Sequence, residues 1–335
     1  MTANVKKSII LSGMRPTGKL HLGNLFGALE NWVRLQDDYH CFFCIVDWHA
    51  LTTAYESPAD IQQNSKEMLL DWLSCGIDPE KAVVFRQSDV KEHAELHLLL
   101  SMLTPLSWLE RVPTYKEQQQ QITGRNLATY GFLGYPLLQA ADILIYKADA
   151  VPVGEDQAPH IEITREVARR FNYLYGKKIF PEPATMLNEY KVVPGIDNRK
   201  MSKSYDNVIE ISIPPQEIPA RVRMMITDPG RIRKNDPGNP QVCSIYAFHR
   251  IFSTDELEKI AAACQGGEIG CVECKKNLST VIQQNLEPFY LQRHALERKP
   301  GRLQEILEEG RKKAQKVARE TMEEVRSAMG LISNW

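Results

Sequence analysis

A strand, a Gly/Pro loop, a helix and a second strand follow one another within the first 46 residues of the chain. The strands are predicted at 5–11 and 41–46, where β-branched, aromatic and other apolar side chains concentrate. Between them, apolar residues recur every three or four positions over 22–36, which predicts a helix. Because two strands joined by a crossover helix run parallel, the chain should build a parallel sheet covered by helices.

The same alternation continues over the first 205 residues. Two further strands are predicted, the second as the last of the sheet, at 82–85 and 151–153. Helices are predicted at 58–75, 92–103, 136–146 and 158–175. Beyond residue 205, proline and glycine turns separate helical segments, of which 303–329 is long, charged and amphipathic. We therefore predict an α/β domain with a doubly wound parallel sheet at 1–205 and a mostly helical domain at 206–335.

The charge balance and the hydropathy limit the classes of protein to which the chain can belong. Lys and Arg total 41 against 42 Asp and Glu, a net charge of −1, which excludes a uniformly basic nucleic-acid coat. No apolar run reaches about 18 residues, and the apolar stretch near the N-terminus is too short for a signal peptide. We therefore expect a soluble, cytoplasmic protein with no membrane span.

Residues 13–19, Gly-Met-Arg-Pro-Thr-Gly-Lys, lie between the first strand and the first helix and fit the pattern G-x-x-x-x-G-K. That pattern is most of a P-loop, which would make the chain a nucleotide-hydrolysing enzyme or a kinase. Two residues argue against this interpretation. Leu20 stands where a Mg²⁺-binding hydroxyl is needed, and Pro16 lacks a backbone N–H that the phosphate cradle uses.

The residues that follow indicate a different nucleotide contact. His21 and Asn24 bracket Gly23 at the start of the predicted helix. Backbone N–H groups at a helix N-terminus suit a phosphate, and a glycine there lets a base or a ribose approach the backbone. The alternative is an ordinary capped helix start with an incidental histidine.

A second basic segment lies far along the chain, at Lys200-Met201-Ser202-Lys203-Ser204. Turn residues on both sides predict a loop. Two lysines three positions apart in a loop can clamp a polyphosphate. A solvated basic loop is the alternative, because that is the usual structure of such a run.

Together, these two segments resemble the H-x-G-(H/N) and KMSKS signatures of the class I aminoacyl-tRNA synthetases. The runs CIVDWHA at 44–50, AADIL at 140–144 and VPVGEDQ at 151–157 are similar to the tryptophanyl-tRNA synthetase family, and the resemblance covers essentially the whole chain. It implies a Rossmann-like catalytic domain, a helical anticodon-binding domain and a homodimer with its interface at about 85–135. It also implies that L-tryptophan is joined to tRNA(Trp) with ATP. The tyrosyl-tRNA synthetases, which share the fold, are the nearest alternative.

Asp142 lies in a predicted helix that is apolar on nearly all sides. A buried carboxylate is costly without a partner, and an ionised carboxylate can accept the single N–H of an indole. The resemblance assigns this aspartate to the indole nitrogen of tryptophan. The alternatives are a nearby arginine or helix end as its partner, or a tyrosine hydroxyl in place of the indole. Leu11 and Gln139 depart from some members of the family, which leaves the detailed lining of the pocket open.

The resemblance implies the remaining site residues as well. Those expected to contact ATP, which brings Mg²⁺, are Arg15, Pro16, Thr17, Gly23, Asn24, Gly154, Glu155, Asp156, Val192, Lys200, Met201, Ser202, Lys203 and Ser204. Those expected to act in catalysis are Lys200, Lys203, Asn24 and, as a third phosphate lysine, Lys116. Those expected to bind tryptophan are Asp142, Gln157, His49 and Gln139.

The chain has seven cysteines, an odd number that argues against a full disulfide framework in an intracellular protein. Cys41 and Cys44 lie inside a predicted strand, so their side chains should point to opposite faces and pack in the core. Cys75, at the end of a predicted helix, is expected in the core as well.

The other four cysteines cluster in the predicted helical domain, as Cys243, Cys264, Cys271 and Cys274. Four thiolates with this spacing suit an iron–sulfur cluster or zinc, and packing without a metal is the third alternative. A subset of the resembling family carries a 4Fe–4S cluster on nearly this pattern, so a cluster is expected here. A non-catalytic iron–sulfur protein that binds RNA would keep the cysteines without requiring the two nucleotide segments.

Overall fold

The computed structural model describes residues 7–56, 58–113, 128–187 and 193–331. Its centre is a five-stranded sheet in the order β3-β2-β1-β4-β5, in which every pairing is parallel. The strands are β1 Ile9–Met14, β2 His40–Ile45, β3 Val83–Arg86, β4 Ala150–Val153 and β5 Ala184–Leu187. The chain moves from β1 to one edge of the sheet and then crosses to the other side of β1, so the predicted doubly wound parallel sheet is confirmed.

Helices connect the strands and continue beyond the sheet. Those before β5 are α1 Leu22–Asn24, α2 Glu30–Asp38, α3 Asp47–Ala54, α4 Ile61–Ser74, α5 Glu92–Ser101, α6 Leu106–Glu110, α7 Tyr130–Ile145 and α8 Ala158–Tyr175. Those after β5 are α9 Ile218–Met224, α10 Ser244–Phe252, α11 Leu257–Gln265, α12 Cys271–Glu297 and α13 Pro300–Ala328. A π-helical segment at Leu25–Leu29 joins α1 to α2, so the predicted helix at 22–36 is continuous. None of the helices in the described parts of the chain is long and apolar enough to cross a membrane.

Side chains of the inner strands alternate between two hydrophobic cores, one on each face of the sheet. Cys41, Phe43 and Ile45 lie in the first core, whereas Phe42 and Cys44 lie in the second. The alternation is the two-residue period of a strand, and burial on both faces is typical of parallel sheets. The prediction that Cys41 and Cys44 point to opposite faces of a core strand is therefore confirmed.

The sequence-based prediction is wrong about two strands. β4 is not the last strand, because β5 pairs with it in parallel at the sheet edge. The four residues of β5 are partly or fully exposed, so no buried apolar run marks this strand in the sequence. β1 also continues past the predicted end at residue 11, since Gly13 pairs with Cys44 and Met14 with Ile45.

The prediction also misplaces the start of α7. The helix begins at Tyr130, well before the predicted start at Pro136. The hydroxyl of Thr129 accepts the N–H of Phe132 at 3.2 Å, which caps the helix one residue before its first turn. Pro136 lies inside the helix, where the sequence pattern had placed its first residue.

The C-terminal helix α13 covers an edge of the sheet. β3 is an edge strand, and the backbone of Gly310 in α13 lies directly against the backbone of Val84. A methyl group on Gly310 would overlap the carbonyl oxygen of Val84, so the missing side chain allows this close approach. Ile306, before the glycine, belongs to the first core, and Ala314, after it, belongs to the second. The helix therefore protects the edge strand and touches both cores.

The helical half of the chain packs on the first core. Leu278, Ile282 and Leu286 of α12 are buried there together with Met68 and Leu69 of α4. One core thus extends from the sheet into the helical half. The elements that the structure describes after residue 205 are helical, as the sequence predicts.

Candidate active site

A cavity of about 380 Å³ lies at the carboxyl ends of β1 and β4. The direction of strand order changes between these two neighbours, and open parallel sheets bind ligands at this switch point. Ser12 of β1 and Arg15 after it line the cavity, and Gly154 lines it after β4. Helices α3 and α7 contribute His49 and Asp142. Lining residues that the sequence analysis did not single out for the site include Trp32, Thr52, Phe132, Tyr135 and His160.

Asp142 lines the cavity with only 2% of its surface exposed. Its carboxylate oxygens accept hydrogen bonds from His49 Nε2 at 2.9 Å, His93 Nδ1 at 2.6 Å and Gln87 Nε2 at 2.9 Å. Burial alone would raise the pKa of this carboxyl group, but the two histidines hold the pKa well below its usual range. Asp142 is therefore an ionised acceptor, and its partners are not the arginine or helix end of the alternative prediction.

The sequence analysis missed the polar groups behind Asp142. His93 is fully buried, and its Nε2 lies 2.7 Å from the hydroxyl of Tyr146. Because the carboxylate only accepts, His93 Nδ1 must carry the proton of this hydrogen bond. His93 and Gln87 stand 49 and 55 positions from Asp142 along the chain, so no local pattern reveals them.

The three other residues predicted to bind tryptophan, His49, Gln139 and Gln157, line the same cavity. On the wall, the hydroxyl of Tyr135 lies 2.9 Å from Nε2 of His160. Burial lowers the pKa of His160 to about 4, so its ring is neutral at pH 7. Directed polar groups set among apolar side chains are typical of a small-molecule pocket.

The loop after β1 does not have the contacts of a P-loop. Lys19 Nζ lies 3.5 Å from the carboxylate of Glu210 and not over a phosphate cradle. The next residue, Leu20, is buried and belongs to the first core. The arguments against a P-loop enzyme are therefore supported by the structure.

The same loop instead meets the second basic segment. Lys203 Nζ donates to the carbonyl oxygen of Thr17 at 2.6 Å, across 186 positions of sequence. Arg15 donates to the hydroxyl of Thr53. Pro16, which lies between Arg15 and Thr17 in the sequence, is buried. The fold thus brings together the two segments that carried the resemblance.

The start of α1 is a capped helix that also faces the second basic segment. The side-chain oxygen of Asn24 accepts the backbone N–H of His21 at 3.1 Å. A methyl group on Gly23 would lie 3.8 Å from Cβ of Met201, so the two signatures are in contact here too. Burial and the nearby Lys203 lower the pKa of His21 to about 4, which keeps its ring neutral at pH 7.

A buried asparagine that the sequence analysis missed shapes the second basic segment. Asn207 accepts the N–H of Ser202 at 2.7 Å and donates to the carbonyl oxygen of Lys200 at 3.1 Å. Met201 is buried, while the side chain of Lys200 is exposed. The backbone of Ser204 lies in the short turn that follows. A side chain bonded to two backbone positions of one loop holds that loop in a single shape.

Of the remaining predicted residues, three lie at or next to the cavity and two lie outside the residues that the structure describes. Gly154 lines the cavity, and Glu155 and Asp156 follow it with exposed side chains. Lys116 and Val192 lie outside the described residues.

The four cysteines of the helical half lie near one another and near Arg231. A guanidinium nitrogen of Arg231 lies 3.7 Å from Sγ of Cys264 and 3.9 Å from Sγ of Cys271. Burial raises the pKa of Cys274 to about 12, and nearby Cys243 is among the thiols that add to this rise. Within the described ranges, no three His, Cys, Asp or Glu side chains are grouped so that they could hold a metal ion. The donors fit a thiolate-bound metal in chemistry, but their present arrangement is not a metal site.

Comparison with known proteins places the chain in a class. A family model described as tRNA synthetases class I (W and Y) matches residues 3–287, so the chain belongs to the class I tRNA synthetases. The tryptophan–tRNA ligases of Thermotoga maritima and Aquifex aeolicus are 52% and 46% identical to it, each over 96% of this chain and 99% of the relative. A crystal structure of tryptophanyl-tRNA synthetase from Campylobacter jejuni, complexed with ADP and tryptophan, matches with a TM-score of 0.88 at 35% identity, covering 96% of this chain and 100% of that one. Within the class, the chain belongs to the tryptophanyl-tRNA synthetases.

Proposed function

We propose that this chain activates L-tryptophan with ATP and transfers it, through tryptophanyl-adenylate, to the 3′-terminal adenosine of tRNA(Trp). The observation that carries the proposal is the buried, ionised Asp142 in a cavity beside the joined nucleotide signatures. An indole has one donor and no acceptor, so a buried acceptor-only group favours it. The Campylobacter relative was crystallised with ADP and tryptophan, a ligand pair of the kind that this site would take.

In this proposal, tryptophan binds with its indole N–H on Asp142. Of the three side chains that donate to this carboxylate, His49 is the one that lines the cavity in the described structure. The indole would therefore displace or share the position of His49, while Gln87 and His93 hold the carboxylate from behind. Gln139 and Gln157 would contact the remaining polar groups of the amino acid.

ATP would lie across the two signatures. The residues proposed for its phosphates, ribose and base are Arg15, Pro16, Thr17, Gly23, Asn24, Gly154, Glu155, Asp156, Val192, Lys200, Met201, Ser202, Lys203 and Ser204. Lys203 now donates to a neutral carbonyl oxygen, and a charged phosphate oxygen is a stronger acceptor that would replace it. Lys116 is proposed as a third phosphate lysine. Mg²⁺ would accompany ATP, held mostly by phosphate oxygens and water.

The proposed chemistry needs no nucleophilic side chain. A carboxylate oxygen of tryptophan attacks the α-phosphorus in line, and the bond from that phosphorus to the pyrophosphate oxygen breaks. Lys200 and Lys203 would stabilise the charge that develops on the departing pyrophosphate. A ribose hydroxyl of the terminal adenosine then attacks the acyl carbon, loses its proton, and AMP departs. Catalysis is thus positioning and electrostatic stabilisation.

The decisive experiment is ATP–pyrophosphate exchange by anaerobically purified full-length protein, with tryptophan and tyrosine in parallel. We expect exchange with tryptophan and none above background with tyrosine. Exchange with tyrosine alone would overturn the proposed specificity and direct attention to Leu11 and Gln139. Absence of exchange with both amino acids would overturn the proposed reaction.

We also propose that Cys243, Cys264, Cys271 and Cys274 hold a 4Fe–4S cluster. Four soft donors near one another support it, as does the cation of Arg231 beside two of the sulfurs, which would offset the charge of a cluster. Their side chains must rearrange to close around it. Iron analysis and the visible spectrum of the anaerobic protein test this proposal. About four irons per chain are expected, whereas zinc without iron, or no metal, would refute it.

A homodimer through about 85–135 is proposed as well, and part of this range lies outside the described residues. Large apolar side chains are exposed there on α5, α6 and α7 and just after α5, namely Leu98 at 55%, Met102 at 71%, Leu106 at 57% and Tyr130 at 67%. The ring of Tyr130 lies 6.4 Å from that of His97, so α7 and α5 share this face. Apolar side chains grouped on one face suit a second copy of the same chain.

Introducing charge on this face should separate the dimer. We expect Met102→Asp with Leu106→Asp to weaken self-association by about 100-fold or more, because buried charges at an interface centre lack partners. Size-exclusion chromatography with light scattering measures the change. Tyr173→Asp is the matched control, since Tyr173 is 85% exposed on α8, outside the proposed interface. Dimers that persist in the double variant would contradict the proposal.

The proposed division into a catalytic domain at 1–205 and an anticodon-binding domain at 206–335 follows the positions of the elements. The described strands end by Leu187, and the described elements after residue 205 are helical. The return of α13 to the edge of β3 makes the second part dependent on the first for packing. We propose that the enzyme works in the cytoplasm.

A further inference from the structure

Asp71 of α4 is a fully buried carboxylate that contacts three separate segments of the chain. One oxygen accepts the backbone N–H of Leu20 at 2.6 Å. The other accepts the hydroxyl of Ser212 at 3.1 Å and a guanidinium N–H of Arg293 at 2.6 Å. Burial raises the pKa of this carboxyl group, and the Arg293 guanidinium, the N–H of Leu20 and the hydroxyl of Ser212 oppose that rise by favouring the ionised form.

Arg293 of α12 is the counter-ion of Asp71, and only 3% of its surface is exposed. It also donates to the carbonyl oxygen of Glu67 at 3.0 Å, to the carboxylate of Glu67, and to Glu297 at 3.0 Å. Burial alone would lower the pKa of Arg293, but the surrounding carboxylates raise it. The cation is thus surrounded by acceptors and holds α12 against α4.

The backbone that Asp71 contacts is the place where the two nucleotide signatures are joined. The carbonyl oxygen of Leu20 accepts the N–H of Ile211 at 2.9 Å, and the N–H of Leu22 donates to the carbonyl oxygen of Ile209 at 3.0 Å. The segment that contains Leu20 and Leu22 leads from the phosphate loop into α1, and it pairs with the segment that contains Ile209 and Ile211. This second segment follows residues 200–204. A single carboxylate therefore bonds to both sides of this junction.

We propose that Asp71 and Arg293 are positioning residues for ATP, which fix both nucleotide signatures relative to the helical half of the chain. The inference rests on the proposed role of those signatures in binding ATP. Neither side chain lines the described cavity, so the pair acts through the backbone at Leu20 and through Ser212. The 27-residue helix that carries Arg293 begins at Cys271, beside the cysteines. A change in the position of this helix would therefore reach the ATP site.

Fixed geometry explains this pair better than stability does. Moving two charges out of water is costly, and an apolar pair of similar volume is often as stable as a buried ion pair. An apolar pair could not accept the N–H of Leu20 or bond to Ser212. The pair supplies directed contacts to two otherwise separate segments, and small errors in such positions cost catalysis heavily.

The test uses full-length Asp71→Asn, Arg293→Lys and Ser212→Ala in tryptophan-dependent pyrophosphate exchange. For Asp71→Asn we expect the KM for ATP to rise about tenfold and kcat to fall, while the KM for tryptophan changes less than about twofold. Arg293→Lys, which keeps the charge, should lie between this variant and the unmodified protein. Ser212→Ala, which removes one bond and leaves the ion pair, should show a smaller change in the same direction.

Gln283→Ala is the matched control. Gln283 also links α12 to the segment after the second signature, by donating to the carbonyl oxygen of Pro215 at 2.7 Å, but it is not among the partners of Asp71. We expect this variant to keep the KM for ATP. Thermal unfolding and circular dichroism establish whether each variant is folded. If Asp71→Asn does not fold, the test rests on Arg293→Lys and Ser212→Ala.

Two results separate this inference from the proposed function. If the unmodified protein shows no exchange, the proposed function fails, and calorimetric binding of a non-hydrolysable ATP analogue replaces exchange as the measurement. Suppose that the unmodified protein shows exchange, and that the folded variants differ from it only in unfolding temperature or show equal changes in the KM for ATP and the KM for tryptophan. The pair is then structural and the positioning role is overturned. A selective loss of affinity for ATP supports it.

Discussion

Replacing Asp142 with asparagine is expected to reduce kcat/KM for tryptophan in pyrophosphate exchange by about a thousandfold or more. The amide of asparagine has two donor hydrogens where the carboxylate only accepts. One of them would face the imidazole of His49 or His93, which donate to the present carboxylate, or the indole N–H that is proposed to do so. The substitution therefore removes an acceptor and places donor against donor in a buried site.

The measurement is exchange at varied tryptophan, combined with binding of an ATP analogue by the same variant. ATP binding should be retained, because the loss is expected in the amino-acid pocket. Asp47→Asn is the matched control: Asp47 is also buried, but its carboxylate accepts from the backbone and hydroxyl of Ser88. If Asp142→Asn retained tryptophan exchange within about tenfold of the unmodified protein, the indole would not depend on this carboxylate.

Local periodicity was sufficient where an element has a buried face and a clear stop. α8 begins and ends at the predicted residues, because its buried side chains recur with the helical period and Gly176 ends it with a positive φ of 63°. β2 was equally clear, since both of its faces are buried. Where burial gives no pattern, as in the exposed β5, the sequence contained no comparable signal.

The start of α7 shows a different limit. The predicted helix starts at Pro136, and a proline is common in the first turn of a helix. The structure places it inside the helix, after the cap provided by Thr129. The preceding segment combines glycines and aromatic residues, whose intrinsic helix propensities are modest, and packing outweighs propensity there.

Motifs identified the residues that would touch substrates, but not those that hold them. His49, Gln139 and Gln157 line the predicted pocket, whereas Gln87 and Asn207 had no motif of their own. Gln87 contacts Asp142 across 55 positions of sequence, whereas Asn207 bonds within its own loop, to Ser202 and Lys200. Neither spacing forms a recognisable motif, and only the folded structure defines these contacts. The pairing of Asp71 with Arg293 spans 222 positions of sequence.

Gly310→Ala is expected to lower the free energy of unfolding by about 3 kcal/mol or more, because the helix must shift to relieve the clash. The added methyl group would overlap the carbonyl oxygen of Val84, which is backbone of an edge strand and cannot rotate away as a side chain can. α13 must then move off β3, which exposes the edge and loosens both cores that the helix touches. Urea unfolding followed by circular dichroism measures the loss.

Gly301→Ala provides the matched control on the same helix, because no atom lies within 4 Å of the position that its methyl group would take. Alanine is favoured over glycine in a helix by up to about 1 kcal/mol, so this variant should be as stable as the unmodified protein or slightly more so. The two substitutions are chemically identical and differ only in what lies beside them. Equal unfolding midpoints for both variants would mean that α13 does not lie against the backbone of β3 in solution. A large difference between them would localise the constraint to the contact of Gly310 with Val84.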